Sequence, residues 1–351
     1  MKICLLGDAQ SIHFIKWANA LSESGHTVII LTMHPGNPNN YHSNIQMYEL
    51  PVKHSLGYYL NYVSLKKRLK KLKPNLLHVH YASGYGTLGR LVQYIPTILS
   101  VWGSDVYLFP NESAFKRKII IRNLQSANLV LSTSHDMANV TNKLTPLKHD
   151  IIVTPFGIDT TQFQPIKESK QSDTLTIGMI KTFEKKYGPD LFIQAIAKVI
   201  NQLKSEKRED ILQRLNVICV GRGEMIPELK ETCHLLGISN YVHWIGAVPH
   251  EEVSNYLNQL DVYVAPSRSE SFGVAVLEAS ACEVPVVVTN VGGLIEAVED
   301  GKTGIIVESE NIEQLKEAIY TLVMNEQLRK EMGNDGDLNS VVAAAHRGYH
   351  S

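Results

Sequence analysis

Two glutamates with seven residues between them, Glu270 and Glu278, are the side chains of this 351-residue chain whose types and spacing most directly suggest chemistry. Glu278 belongs to a predicted helix, residues 274–282, which is apolar almost all round, so both of its faces should be covered by protein. An unpaired charge in such surroundings is costly, and Glu278 therefore needs a partner. Glu270 lies in the polar loop before this helix. The helix start, near Phe272 and Gly273, offers free backbone N–H groups and a positive dipole end.

These groups together suit a ligand that carries both phosphate and hydroxyl groups. Backbone N–H groups at a helix start bind a diphosphate, and a glycine there lets the ligand come close. Carboxylates repel phosphates, but they accept hydrogen bonds from sugar hydroxyls. A sugar nucleotide therefore fits this stretch better than a free anion does.

The elements that must position the two glutamates alternate between strand and helix along the chain, which predicts doubly wound parallel sheets of the α/β class. The length exceeds that of a usual single core, so two domains are expected. We place them at residues 1–165 and 172–332, with an irregular tail at 333–351. The predicted strands are residues 2–6, 26–32, 76–80, 96–101, 128–132, 151–154, 175–180, 216–220, 241–246, 261–265, 285–289 and 304–307.

Several loops that follow predicted strands carry glycine or lysine. Gly7 follows the first strand and would allow the close approach of a phosphate or a sugar, while Gly221 and Gly223 follow a later one. Lys181 and Lys186, with four residues between them, lie at the end of the first strand of the second domain. Such loops leave the carboxyl ends of parallel strands, which is where open α/β sheets bind ligands.

Polar residues also follow two strands of the first domain. Asp105, with Ser104 beside it, could orient an acceptor hydroxyl or a sugar hydroxyl. His78 and His80 share one face of their strand, so a metal pair is conceivable, but no third ligand is visible in the sequence. We therefore expect no metal site.

The run SESFGVAVLEA, followed in order by PVVVTNVGGLIE and DGKTGIIV, resembles the retaining glycosyltransferases of family 4, the group of glycogen synthase, sucrose synthase and mannosyltransferases. The E-x7-E motif of that family matches Glu270 and Glu278. PFGIDTTQF, residues 155–163, is similar to the segment that closes the family's N-terminal domain. The resemblance covers about residues 1–330, and it implies the GT-B fold: two Rossmann-like, doubly wound parallel-sheet domains facing a cleft.

The resemblance also implies roles for particular residues. Glu270 would hold hydroxyls of the transferred sugar, Glu278 would hold the ribose hydroxyls, and the two lysines would grip the diphosphate. The implied catalytic residues are Glu270, Lys181, Lys186 and Asp105. The implied donor-binding residues are Gly7, Gly221, Gly223, Ser271, Phe272, Gly273, Val274 and Glu278.

The chain departs from the family in two places. Many members have His-Gly-x-Asp where this chain has Trp102-Gly103-Ser104-Asp105, so the family role of the histidine in touching the sugar does not carry over. Members usually finish with a long helix that returns to the first domain. Here the sequence turns polar and small after Met332, as a truncated or altered end would.

The function implied is that of a retaining, metal-independent glycosyltransferase of the hexosyltransferase type. It would move a sugar from a UDP- or GDP-linked donor to a hydroxyl on a glycan or a lipid-linked acceptor. The products would be cell-surface polysaccharide, lipopolysaccharide or glycolipid, and no cofactor other than the sugar nucleotide is expected. Two alternatives remain open: a non-catalytic sugar-nucleotide-binding protein, and a sugar-nucleotide epimerase that shares the fold.

Charge is divided unevenly along the chain. Residues 1–165 carry 16 Lys and Arg against 8 Asp and Glu, a net charge of +8, whereas the remainder carries 18 against 27, a net charge of −9. The total is therefore −1. Such asymmetry indicates different partners for the two domains.

One predicted helix of the first domain, which ends before Pro74, carries lysines around a stripe of leucines. These lysines are either simply solvated, or they form a patch for an anionic membrane surface, where each cation contributes about 1 kcal/mol. The patch would consist of Lys66, Lys67, Lys70, Lys71, Lys116 and Arg117. Nucleic acid is not an expected partner, because no recognition motif or interleaved aromatic residues accompany the charge.

The chain contains no run of about 18 or more apolar residues, which a membrane-spanning helix would need. Met1 leads directly into a short strand-like stretch that lacks the cleavage site of a signal peptide. The expected location is cytoplasmic, with peripheral contact on the inner face of the cell membrane if the basic patch binds lipid.

Overall fold

The computed structural model describes residues 1–166 and 173–336, and it divides into two compact units between Pro155 and Phe156. Each unit is built around one sheet, and every strand pairing in both sheets is parallel. No helix among the described residues combines the length and the apolar character needed to cross a membrane.

The sheet of the first unit has seven strands in the order β3-β2-β1-β4-β5-β6-β7. The central strands β1 and β4 are buried almost throughout, as expected for strands covered on both faces. The strands are β1 Lys2–Leu6, β2 Thr27–Thr32, β3 Gln46–Glu49, β4 Leu76–His80, β5 Thr97–Ser100, β6 Leu129–Ser132 and β7 Ile152–Val153.

Helices cover both faces of this sheet. Phe14 and Ala18 of α1 pack against one face with Ile3, whereas α3, α4 and α6 share a core cluster on the other. Leu65 of α3 is fully buried in that cluster. The helices are α1 Ile12–Glu23, α2 Gly57–Leu60, α3 Tyr62–Leu72, α4 Gly84–Val92, α5 Ser104–Tyr107, α6 Ala114–Ser126 and α7 His135–Leu144.

The sheet of the second unit has six strands in the order β10-β9-β8-β11-β12-β13. Its strands are β8 Leu175–Ile180, β9 Leu215–Val220, β10 Val242–Gly246, β11 Val262–Ala265, β12 Val286–Thr289 and β13 Gly304–Val307. The helices are α8 Pro189–Ser205, α9 Glu209–Leu212, α10 Ile226–Leu235, α11 Val253–Leu257, α12 Val274–Ala281, α13 Leu294–Ala297, α14 Ile312–Met324 and α15 Glu326–Asp335.

The strand order reverses beside the first strand of each sheet, between β1 and β4 in the first unit and between β8 and β11 in the second. This order is that of a Rossmann-like sheet, which binds ligands at the carboxyl ends of the strands where the order reverses. The expected fold class, with two Rossmann-like parallel sheets, is therefore confirmed. In the second unit the reversal brings together the loops after β8 and β11.

The first compact unit ends ten residues before the predicted boundary at residue 165. The segment after Pro155 packs within the second unit: the backbone N–H of Ile166 donates to Asn258 Oδ1 at 2.7 Å. Phe163 is fully buried and its ring lies 5.6 Å from that of His250. The predicted boundary at residue 165 therefore lies too far along the chain. The sequence does not reveal this, because the contacts that decide it join residues distant in sequence.

Two further predictions differ from the structure. The helix α15 continues to Asp335, so the tail is still helical at 333–335, where it was expected to be irregular. Asn325 caps this helix by accepting a hydrogen bond from the N–H of Leu328. The remainder of the predicted tail, from residue 337, and residues 167–172 lie outside the described residues. The edge strand β3 was missed, because its side chains are exposed or half-buried and form no apolar run.

Candidate active site

Lys181 and Glu270 meet at the point in the second unit where the strand order reverses. Lys181 directly follows β8, and Glu270 lies in the loop after β11, the neighbouring strand. Lys181 Nζ lies 2.7 Å from Glu270 Oε2, and both side chains are largely shielded from solvent. The structure thus joins a predicted phosphate-binding cation to a predicted sugar-binding carboxylate as a short, partly buried ion pair.

The electrostatics of Lys181 are set by this pair and by two tyrosines. Burial alone would lower the pKa of Lys181, but the negative charge of Glu270, with contributions from Tyr263 and Tyr187, outweighs burial and raises the pKa. The ammonium also lies 4.5 Å from the centre of the Tyr187 ring, which is a cation–π distance. The charged form of Lys181 is therefore favoured in this site.

Lys186 also lies close to the Tyr187 ring. Its ammonium is 4.8 Å from the centre of the Tyr187 ring and 2.9 Å from Glu184 Oε2. Burial opposes the charged form, but the hydrogen bond to Glu184 and the ring of Tyr187 outweigh it, and the pKa of Lys186 is raised. Both lysines therefore contact Tyr187, a residue that sequence reasoning did not single out.

Arg268 connects the loop after β11 to the loop after β8 through hydrogen bonds. Its guanidinium donates to both carboxylate oxygens of Asp190, at 2.7 and 2.8 Å, and to the carbonyl oxygen of Lys185 at 2.8 Å. The backbone N–H of Arg268 donates to the carbonyl oxygen of Lys186 at 2.7 Å. A two-point contact of this kind fixes orientation as well as distance. Arg268 was also missed, since nothing in the local sequence shows which carboxylate it meets.

Glu278 is buried, with 6% of its surface exposed, and it lines a pocket of about 210 Å³ together with Lys181 and Tyr263. Its Oε1 atom has no hydrogen-bond partner among the residues that the structure describes. His250 Nε2 lies 3.4 Å from that oxygen. The sequence predicted that Glu278 needs a partner, and the structure places His250 beside it without forming a hydrogen bond.

The glycines of the site allow close contacts between backbone segments. A β-carbon at Gly221, where φ is +143°, would lie 1.9 Å from the carbonyl oxygen of Lys181. One at Gly223 would lie 2.3 Å from the carbonyl oxygen of Phe183. Only glycine therefore lets the loop after β9 pass against the loop after β8. The pocket beside Glu278 includes Gly221 in its wall.

The loop before α12 presents backbone rather than side chains. Phe272 is buried, and the N–H of Ser271 donates to Glu270 Oε1 at 3.2 Å. Gly273 precedes the helix with φ of +91°, which a residue with a side chain rarely adopts, and Val274 is its first residue. The first turn of such a helix has N–H groups without intrahelical acceptors, as the phosphate-binding prediction requires.

Comparison with known proteins identifies the family. The family model described as "Glycosyl transferases group 1" matches residues 160–338, about half of the chain, and "Glycosyl transferase 4-like" matches residues 2–134. This chain is a group 1 glycosyl transferase. The resemblance to family 4 is thereby confirmed, and the match favours a glycosyltransferase over a non-catalytic binding protein or an epimerase.

Individual relatives are similar to this glycosyltransferase at low identity. The putative teichuronic acid biosynthesis glycosyltransferase TuaC of Bacillus subtilis is 30% identical over 270 residues, 76% of this chain and 66% of that protein. The N-acetyl-alpha-D-glucosaminyl L-malate synthase of Bacillus anthracis is 25% identical over 333 residues, 89% of this chain and 84% of that protein. The structure of Anabaena HepE in complex with UDP has a TM-score of 0.81 at 17% identity, over 99% of this chain and 98% of that one, which supports the GT-B fold.

The predicted residues of the first unit of this glycosyltransferase occupy different surroundings. Asp105 is fully buried, and its carboxylate accepts hydrogen bonds from the N–H groups of Ala82, Trp102 and Gly103 at 2.7, 3.1 and 2.8 Å. Burial raises the pKa of Asp105, and these three donors oppose that rise. The carboxylate therefore holds the loops after β4 and β5 together, and its catalytic role stays a prediction.

Gly7 is a packing position in the first unit. A β-carbon there would lie 2.4 Å from Phe14 Cε2, so a larger residue would displace a fully buried ring of α1. His78 and His80, the conceivable metal pair, have ring centres 4.0 Å apart with the rings tilted by 32°, and both are buried. Among the described residues no group of three or more His, Cys, Asp or Glu could hold a metal ion.

Proposed function

We propose that this glycosyltransferase moves a sugar from a nucleotide diphosphate sugar to a hydroxyl acceptor, with retention at the anomeric carbon and without a metal ion. The observation that carries this proposal is the Lys181–Glu270 pair beside a pocket that contains a buried, incompletely satisfied carboxylate, Glu278. A diphosphate is bound by a cation. A hexose and a ribose are each bound by a carboxylate that accepts hydrogen bonds from their hydroxyls.

Binding of the donor would redistribute the contacts of the ion pair. Lys181 and Glu270 satisfy each other at 2.7 Å. An incoming diphosphate competes for the ammonium, while the hydroxyls of the sugar donate to the released carboxylate. Both charges stay compensated throughout, so the donor does not have to leave a charge buried and unpaired.

The chemical step breaks the bond between the anomeric carbon and the diphosphate oxygen and forms a bond to the acceptor oxygen. Lys181, Lys186 and the N–H groups at the start of α12 stabilise the negative charge that grows on the departing diphosphate. Glu270 fixes the sugar for attack. The acceptor proton passes to the leaving phosphate oxygen on the same face of the sugar, which preserves the anomeric configuration and needs no carboxylate nucleophile.

The acceptor in this proposal is a glycan or a lipid-linked molecule in the synthesis of cell-surface polysaccharide, lipopolysaccharide or glycolipid. The similarity to TuaC, which is described as acting in teichuronic acid biosynthesis, supports a polymer of the cell surface. The similarity to HepE, which was crystallised with UDP, supports a UDP-linked donor over a GDP-linked one.

A thermal-shift panel of UDP-, GDP- and ADP-linked sugars tests the donor assignment. A ligand that binds only the folded state raises the melting temperature, and the shift at a given concentration grows as the dissociation constant falls, so the shifts rank the donors. We expect one nucleotide to dominate, and product analysis with that donor should show transfer or slow hydrolysis. Binding with neither reaction would indicate a non-catalytic binder, and conversion of the donor sugar with no acceptor present would indicate an epimerase.

We also propose that the first unit contacts an anionic membrane surface through the lysine-bearing helix. Lys66, Lys67, Lys70 and Lys71 are all exposed on α3. The start of this helix and the residues before it also expose large apolar side chains, among them Leu60 at 59% and Val63 at 58%. The other members of this apolar cluster are Leu56, Tyr59 and Tyr62.

Exposed apolar side chains next to lysines are the composition of an interfacial membrane-binding helix. The apolar cluster would enter the lipid headgroup region, and the lysines would contact anionic lipid. Arg117 of α6 is also exposed, whereas the ammonium of Lys116 pairs with Glu112 and lies 5.0 Å from the centre of the Phe109 ring. Lys116 therefore contributes less than the other five residues.

Flotation with vesicles of phosphatidylcholine, with and without phosphatidylserine, tests the membrane contact. We expect binding only to the anionic vesicles at low salt, and a weaker response when Lys70 and Lys71 are both changed to glutamate. Leu60→Asp should also weaken binding if the apolar cluster enters the lipid. No flotation of the native protein at low salt would remove the proposal, and equal flotation with neutral vesicles would remove the role of the lysines.

A further inference from the structure

His250 lies directly against the one buried oxygen of Glu278 that has no hydrogen bond within the described part of the chain. Its Nε2 is 3.4 Å from Glu278 Oε1, and about a third of the histidine side chain is exposed. A buried carboxylate oxygen without a donor is costly, and hydrogen bonds of binding sites are often long before the ligand is present. His250 therefore occupies the position from which a donor would complete the surroundings of Glu278.

Gln162 determines which ring nitrogen of His250 carries the proton. The side-chain nitrogen of Gln162 donates to the carbonyl oxygen of His250 at 2.8 Å, which fixes the orientation of the amide, because a carbonyl can only accept. The same nitrogen lies 3.4 Å from His250 Nδ1. An amide N–H facing Nδ1 requires that ring nitrogen to be an acceptor. The neutral imidazole then carries its proton on Nε2, which points at Glu278.

Residues 163–166 contact His250 and the end of the helix that follows it. Phe163 meets the His250 ring edge-on at 5.6 Å. Asn258, shortly after His250, accepts from the N–H of Ile166 at 2.7 Å and donates to the carbonyl oxygen of Gln164 at 3.1 Å. The segment at 162–166 therefore buttresses the turn that carries His250. This segment includes the last two residues of the PFGIDTTQF stretch, which the proposed donor chemistry does not use.

We propose that His250 is a positioning residue for the nucleoside end of the donor. Its Nε2–H holds Oε1 of Glu278 when the donor is bound, so that the carboxylate is oriented to accept the ribose hydroxyls, and Gln162 keeps the imidazole in the required tautomer. The inference rests on the proposed function, since it assigns the pocket beside Glu278 to the nucleoside of a sugar nucleotide.

Calorimetric titration with UDP, and with a UDP analogue that lacks both ribose hydroxyls, tests the proposal on the full chain. His250→Phe keeps a ring against Phe163 but removes Nε2–H, and we expect it to weaken UDP binding about tenfold, the effect of one hydrogen bond to a charged group. The analogue should bind the native protein and the variant equally. His250→Gln, which retains a side-chain N–H, should recover most of the affinity, and His243→Phe, at an exposed position of β10, should have no effect.

Each other outcome is decisive. Equal losses for UDP and for its analogue would show that His250 only supports the local structure, and no loss for either would show that it does not act on Glu278. Should the native protein prefer GDP or ADP, the same comparison is made with that nucleotide and its hydroxyl-free analogue. If the native protein binds no nucleotide at all, the donor site itself is overturned and this proposal with it.

Discussion

Asp105 in the first unit and Glu278 in the second are both buried carboxylates, with 0% and 6% of their surface exposed. They differ in the hydrogen-bond donors that contact their oxygens. Asp105 accepts hydrogen bonds from three backbone N–H groups, whereas Oε1 of Glu278 accepts none within the described residues and lies beside a pocket. A satisfied carboxylate holds its own loops in place, and an incompletely satisfied one beside a cavity is available to a ligand.

The same difference extends to the residues around them. In the first unit, Gly7 packs on Phe14, and His78 Nε2 lies 2.7 Å from Ser100 Oγ, so these polar or small residues serve the fold. In the second unit, Lys181 and Glu270 form an ion pair at 2.7 Å, and Lys181 lines the pocket. We infer that the second unit holds the preformed part of the site, and that the polar residues at the strand ends of the first unit mainly set loop shape.

The largest expected effect is on catalysis in the second unit. Lys181→Met removes the cation that faces the departing diphosphate, and we expect kcat to fall by about 10²–10³-fold, the usual cost of one group that stabilises charge in the transition state. Lys185→Met is the matched control, since this nearby lysine is exposed and pairs with Asp190. Steady-state kinetics with the preferred donor measures both. A Lys181 variant as active as the Lys185 variant would contradict the inference that the second unit holds the preformed part of the site.

A smaller effect, on stability alone, is expected in the first unit. Asp105→Ala removes the acceptor of three backbone N–H groups, and it should lower the free energy of unfolding by about 3 kcal/mol. Asp150→Ala, at an exposed position of the same unit, should change it by less than about 0.5 kcal/mol. Urea unfolding followed by circular dichroism compares them. If Asp105→Ala is as stable as the control but inactive, Asp105 contacts substrate after all.

The smallest effect concerns acid sensitivity of the first unit. Burial lowers the pKa of His78 from its ordinary 6.5 to about 3, so between these values only the unfolded chain binds the proton. The stability contributed by this residue is complete above pH 6.5 and is lost as the pH falls, about 2 kcal/mol between pH 7 and pH 5. Denaturant titrations at both pH values should show that His78→Asn reduces this loss by that amount.

His54→Asn is the control for the acid prediction, because His54 is exposed. It should leave the difference between the two pH values unchanged. Burial also lowers the pKa of His80, with a further contribution from His78, so some acid sensitivity should remain in the His78 variant. An unchanged pH dependence in that variant would mean that protonation of His78 is not coupled to unfolding.

Much of the fold is predictable from the sequence because its strands are continuous apolar runs with clear ends. The strands β1, β4, β8 and β13 begin and end at the predicted residues. The edge strand β3 has no such run, because an edge strand buries little. The boundary near Pro155 was misplaced for a different reason: the contacts of Phe163 and Ile166 that decide it are made with residues about ninety positions away.

The sequence predicted which loops form the candidate site, but it did not predict which side chains contact one another there. The loops that carry Lys181 and Glu270 follow adjacent strands of a Rossmann-like sheet, so their proximity follows from strand order. Which groups complete the site depends on side-chain packing across the fold. The contacts of Tyr187 with the two lysines, of Arg268 with Asp190 and of His250 with Glu278 have no local signal in the sequence, and the structure alone reveals them.

The central claim is that Glu270 and Glu278 hold the hexose and the ribose of an activated sugar in the second unit. Titration calorimetry of the preferred sugar nucleotide with native protein, Glu270→Gln and Glu278→Gln tests it most directly. We expect each substitution to weaken donor binding by at least about tenfold, because each converts a hydrogen bond to a charged acceptor into a neutral one. Native affinity in both variants would contradict the assignment of the site.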